Sequence, residues 1–191
     1  MASGLRPYLT FWTVGFAALA ADVGTKLLLV RRFPIRFEND WVYNLSADPE
    51  RSPIEVSPWF WIVHVGNKGA AWGLGSQQDV RPYLVLLALV VLYLVWRWRR
   101  SLLVELSGGQ VAFGLFVGGT LGNVRDRVFG DHVIDFFDVH LPGGYRFPAF
   151  NVADACICVG VGLYLILSYR QEAARKEAIA SHSGDDLAGR P

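Results

Sequence analysis

Four long apolar runs limit what this chain can become. They cover roughly residues 8–30, 80–98, 102–124 and 150–169. A helix rises about 1.5 Å per residue, so each run is near the ~20 residues needed to cross hydrocarbon. The second is the cleanest, with no charge between Tyr83 and Trp96. The third is the least hydrophobic and carries Gly108, Gly109, Gly114, Gly118, Gly119 and Gly122. Its Gly118-x-x-x-Gly122 spacing lets helices approach closely. Hydrophobic residues make up 52% of the chain and the mean hydropathy is +0.30, which places it in the membrane class. The expected fold class is therefore a membrane α-helical protein with four transmembrane helices. One integral-membrane domain is expected over 1–170, with an extracytoplasmic insert at about 31–79. A polar cytoplasmic tail is expected over 171–191, helical at first and structureless at its end.

Flanking residues set the expected orientation. Arg97, Arg99 and Arg100 follow the second run, and Arg170, Arg175 and Lys176 follow the fourth. The positive-inside rule places these clusters and both termini in the cytoplasm. Arg31, Arg32 and Arg36 on the opposite side weaken that signal. Ala18-Leu19-Ala20 imitates a signal-peptidase cleavage site, but the apolar run resumes through Val30, so an uncleaved first span is expected. Between the first two runs lie Pro34, Pro49, Pro53 and Pro58 with several acids, then the aromatic, strand-like stretch Trp59 to Val65. A second strand-prone stretch runs from His132 to Val139 and ends at the turn Pro142-Gly143-Gly144. A net charge of +1 gives no reason to expect a nucleic-acid partner. Cys156 and Cys158 sit two apart on an expected helix, which points them away from each other and leaves them as buried apolar thiols.

Two carboxylates fall in apolar surroundings: Asp135 in Val133-Ile134-Asp135-Phe136-Phe137, and Asp154 near the start of the fourth run. A carboxylate near hydrocarbon costs several kcal/mol unless it is protonated, paired or hydrated. Two that meet would share one proton, so that one could deprotonate water while the other donates to a carbonyl oxygen. The competing reading makes each a helix cap or the partner of an arginine. Asp154 is too deep in the fourth run for an ordinary N-cap.

Other polar groups carry weaker signals. Asp22 and Lys26 form an i, i+4 ion pair on a face shared with Thr25. Asn123, Asp126 and Arg127 share a face near the end of the third run. They could meet substrate carbonyls or simply snorkel at the interface. His132, Asp135, Asp138 and His140 resemble a metal set, but strand alternation turns Asp135 away from the other three. No HExxH, GxSxG or Walker-type loop occurs, and no metal or cofactor is expected.

Taken in order, five blocks resemble the lipoprotein signal peptidase (signal peptidase II) family. They are Asp22-x-x-Thr25-Lys26, Asn67-x-Gly69-Ala70-Ala71, Gly118-Gly119-x-x-Gly122-Asn123-x-x-Asp126-Arg127, Val133-Ile134-Asp135-Phe136 and Phe150-Asn151-x-Ala153-Asp154. The resemblance implies an aspartic endopeptidase of the bacterial inner membrane, multi-pass and monomeric, with its active site near the outer face. It implies cleavage of diacylglyceryl-prolipoproteins just before the lipidated cysteine, contact with membrane lipid, and inhibition by globomycin-type cyclic peptides. Asp135 and Asp154 match the catalytic pair. Asn67, Asn123, Arg127 and Asn151 match positions that shape the substrate site, and Asp22, Lys26, Gly69, Gly119, Asp126 and Ala153 match supporting ones. The implied fold adds a small extracytoplasmic β-rich cradle and a periplasmic helix to the four spans. Three features depart from the family: a longer Arg31–Val56 segment, Trp72 in place of Phe, and Val23-Gly24 in the first block. Read without the resemblance, the intramembrane charges also fit a small proton-coupled transporter, and the glycine-rich helix fits a packing scaffold.

Overall fold

The structure is a computed structural model that describes residues 8–32, 53–69, 79–130 and 132–188. Residues 33–52 of the long insert, and Ala70, Ala71 and Trp72, lie outside the described residues. Among the described residues, four long helices carry the fold: α1 (Leu9–Arg32), α2 (Arg81–Arg97), α3 (Gly109–Phe129) and α4 (Val152–Ala188). Three strands, β1 (Ile54–Ser57), β2 (Phe60–Asn67) and β3 (Val133–Val139), form one antiparallel sheet in the order β1-β2-β3. Helices α1 and α4 are long and apolar enough to cross a membrane.

The third apolar run is not one helix. A π-helical turn, Ser101–Glu105, precedes α3, and Gly108 between them sits at φ 80°. That left-handed conformation is easy only for glycine, so the backbone breaks here and restarts at Gly109. Helix α3 then serves as the central post. Along it, Gly114 and Gly118 lie against Phe11, Gly15 and Ala18 of α1, and Gly119 lies against the Ala153 carbonyl of α4. A Cβ at Gly119 or Gly122 would collide with Ala153 or with the Asp22 carboxylate, so these two glycines allow α1, α3 and α4 to meet around Ala153. Ala153 is fully buried there. The expected small-residue spacing therefore has a definite use.

Helix α4 begins two residues later than the apolar run. Phe150 stays extended and pairs with Phe137: the Phe137 N–H donates to the Phe150 carbonyl at 2.8 Å and the Phe150 N–H returns the bond at 3.0 Å. The strand bond delays the helix to Val152, so Asn151 is the N-cap and Asp154, too deep to be one itself, stands in the first turn. The Asn151 side chain accepts the Asp154 backbone N–H at 2.9 Å, and the Asp154 carboxylate accepts the Asn151 backbone N–H at 3.1 Å. This reciprocal pair is a capping box. At its other end α4 continues past 169 to Ala188, through the segment read from the sequence as a polar tail.

Candidate active site

The site forms where the sheet meets the starts and ends of three helices. β3 supplies Asp135, β2 supplies Asn67, α3 supplies Asn123, and the start of α4 supplies Asn151 and Asp154. Register brings the first two together, because β2 and β3 pair Val65 with Asp135 and Asn67 with Val133. The Asn67 amide donates to Asp135 Oδ2 at 3.1 Å, and its own oxygen accepts the Gly69 N–H at 2.9 Å.

Asn151 joins the two carboxylates. Its Nδ2 donates to Asp135 Oδ1 at 2.7 Å, while its backbone and carbonyl close the capping box with Asp154. Asn123 Nδ2 donates to Asp154 Oδ1 at 2.7 Å, and Asn123 Oδ1 accepts Asn151 Nδ2 at 3.2 Å. Three asparagines thus hold both acids in one hydrogen-bonded group.

The two acids differ in setting. Asp135 is buried with 3% of its surface exposed, whereas Asp154 is half-buried in the first turn of α4. Burial, and then the negative charge of Asp154, push the Asp135 carboxyl up to about 7, against the opposing pull of the Asn67 and Asn151 amides.

The remaining expected positions surround this group. Lys26, 1% exposed, pairs with Asp22 Oδ2 at 2.7 Å and with Asp126 Oδ2 at 2.7 Å, and donates to Asn123 Oδ1 at 3.3 Å. Asp22 Oδ1 accepts the Ala153 N–H at 2.9 Å, tying α1 to the start of α4. The sequence left Arg127 two roles, meeting substrate carbonyls or snorkelling at the interface. Here it donates to carbonyls of its own chain, those of Gly69 at 3.0 Å and Asn123 at 3.3 Å. It also lines a cleft of about 500 Å³ with Asp79, Arg81, Pro82, Val85, Val128, Phe129 and Gly130. No sequence signal singled out this cleft, whose walls come from the start of α2 and the end of α3.

The second acid on β3 has a different role. Asp138 points away from Asp135 and receives Arg146 Nε at 2.8 and 2.9 Å, a further bond from Arg146 Nη2, and a contact with His140 Nε2 at 3.1 Å. It fastens the hairpin that leads from β3 to Phe150.

Comparison with known proteins agrees with the order of the motifs. A family model described as Signal peptidase (SPase) II matches residues 14–170. A protein named lipoprotein signal peptidase from Syntrophotalea carbinolica is 40% identical over 154 residues, covering 80% of this chain and 86% of its own. One of the same name from Aeromonas hydrophila is 32% identical over 172 residues, covering 89% and 92%. A bacterial membrane enzyme solved by the in meso method at 2.3 Å resolution is similar with a TM-score of 0.66 and 25% identity. That match covers 87% of this chain and 91% of the other.

Proposed function

The chain belongs to the signal peptidase II family, and we propose that Asp135 and Asp154 are its catalytic pair. It is a bacterial membrane peptidase that removes signal peptides from prolipoproteins. The family gives no support to the transporter reading, and Lys26, Asp22 and Asp126 are engaged in ion pairs with one another.

The observation that carries the dyad is Asn151, which bonds to both carboxylates at once. Asp154, at a helix N-terminus and partly open to solvent, takes the proton from water. The resulting hydroxide attacks the scissile carbonyl carbon. Asp135, buried beside that charge, donates its proton to the carbonyl oxygen. Collapse of the tetrahedral intermediate returns a proton to the departing amine and frees the lipidated cysteine's amino group. Both acids act through one shared proton, so activity is expected to fall as pH rises through about 7 and Asp135 loses its proton. Asn67, Gly69, Asn123, Arg127 and Asn151 shape the site, and Asp22, Lys26, Asp126, Gly119 and Ala153 hold it up.

Four membrane spans fit the same reading. Helix α2 has 17 residues and exposes Tyr83, Leu86, Leu87, Leu89, Val90 and Tyr93, an apolar surface suited to lipid. Both termini are then cytoplasmic, and the sheet forms the extracytoplasmic cradle; the periplasmic helix that the family resemblance implies lies outside the described residues. The diacylglyceryl chains stay in lipid while the peptide reaches the cleft between α2 and α3. The enzyme acts as a monomer on diacylglyceryl-prolipoproteins and is blocked by globomycin-type peptides. The test is cleavage of a purified diacylglyceryl-prolipoprotein in detergent. Wild type is expected to cut it, and neither Asp135→Asn nor Asp154→Asn is expected to. Normal turnover by either variant would reject the dyad.

A further inference from the structure

We propose that Lys26 is a positioning residue for the reaction, acting through Asn123 to fix which end of that amide faces Asp154. The inference rests on the dyad reading and adds an electrostatic lock to it.

An ammonium has three N–H donors and no acceptor. The Lys26 ammonium has three oxygens around it: Asp22 Oδ2 at 2.7 Å, Asp126 Oδ2 at 2.7 Å and Asn123 Oδ1 at 3.3 Å. The two carboxylates are themselves anchored. Asp22 Oδ1 accepts the Ala153 N–H at 2.9 Å, and Asp126 Oδ1 meets Arg125 Nη1 at 3.2 Å. All three residues are buried, so the cation is held in place.

Asn123 presents two ends of almost equal shape and opposite polarity. Its oxygen receives two donors, Lys26 Nζ at 3.3 Å and Asn151 Nδ2 at 3.2 Å. Its nitrogen then donates to Asp154 Oδ1 at 2.7 Å. Reversing the amide would set N–H groups against an ammonium and against another amide, and set its carbonyl oxygen against the Asp154 carboxylate. In a buried site both mismatches are expensive. The charge on α1 therefore dictates the donor offered to an acid on α4, without touching that acid. Together with the Asn151 backbone N–H on Oδ2, the lock pins both Asp154 oxygens and fixes where its water can sit.

Turnover of a diacylglyceryl-prolipopeptide is the readout, measured for Lys26→Met and for the double variant Lys26→Met/Asp126→Asn. The double variant removes one charge of each sign, so the net charge of the cluster is unchanged, although Asp22 loses its ammonium partner in both variants. Both variants are expected to lose roughly 100-fold in kcat with KM within about twofold, the scale of losing one preorganised donor. If the double variant regains wild-type kcat, Lys26 serves only to neutralise Asp126 and the proposal fails. It fails equally if KM rises while kcat holds. In the wild-type protein, the Asn123 side-chain amide is expected to exchange slowly with solvent by NMR, and rapid exchange overturns the lock whether or not any Lys26 variant folds. Normal cleavage by Asp154→Asn would instead sink the dyad reading, a separate outcome from any of these.

Discussion

Asp135 and Asp138 stand three residues apart on β3, both buried, and they titrate in opposite directions. Burial raises the carboxyl on each face of the strand. On one face, Asp135 receives only neutral amides from Asn67 and Asn151 and lies near the charge of Asp154, so it is pushed up to about 7. On the other, the hydrogen bonds from Arg146 and His140 outweigh burial, and Asp138 is held below its usual value. Neutral donors hold a buried acid in place without fully compensating its charge, while a guanidinium compensates it. On the proposed dyad, one face of the strand carries a reactive acid and the other a structural one.

The sharpest way to break this comparison is to neutralise each acid. Asp135→Asn is expected to lower cleavage by at least roughly 1,000-fold, whereas Asp138→Asn leaves kcat of the folded fraction unchanged. Single-turnover assays on matched folded protein decide between these outcomes. Stability should move the other way. Because Asp135 is raised, its folded form favours the proton, and stability is lost as pH climbs from about 4 to about 7. Asp135→Asn removes that penalty and is expected to stabilise the protein at pH 8 by up to about 4 kcal/mol, with little effect at pH 4. Thermal melts in detergent at the two pH values test it, and equal shifts at both would contradict the assigned proton.

Arg146→Met should cost about 3 kcal/mol at neutral pH by leaving Asp138 buried without its guanidinium. The Asp138 contribution is present above the ordinary carboxylate range and is lost as pH falls through its depressed value, so the cost should fade in acid. The smallest effect belongs to Asn67→Ala, about 2 kcal/mol in stability, since the bonds to Asp135 and from the Gly69 N–H both go. It should also move the alkaline limb of the pH–activity profile to higher pH, because the amide it removes lowers the Asp135 value.

Much of this was legible in the sequence. Periodicity and length located α1 within two residues of the expected run, and the aromatic stretch from Trp59 did form a strand. The third run misled because hydropathy averages over a window, while the break at Gly108 depends on the φ of a single residue. The reciprocal bond of Asp154 with its N-cap Asn151 was missed for a similar local reason: Phe150 belongs to a strand bond with Phe137, and apolar character alone does not separate a strand end from a helix start. The i, i+4 pair of Asp22 and Lys26 was visible, but its third member, Asp126, lies on another helix and becomes a partner only through α1–α3 packing. The meeting of Asp135, Asp154 and the asparagines was likewise set by strand register and helix contacts, so spacing left it open and only the ordered motifs pointed to it.

The capping box at Asn151 and Asp154 also sets a schedule for the enzyme's birth. The same two bonds that start α4 hold the second acid of the proposed pair, and both residues follow Asp135 in the sequence. A chain emerging from its N-terminus has Lys26, Asn67, Asn123 and Asp135 long before it has a second acid. On the proposed dyad, proteolytic competence therefore waits for the start of α4.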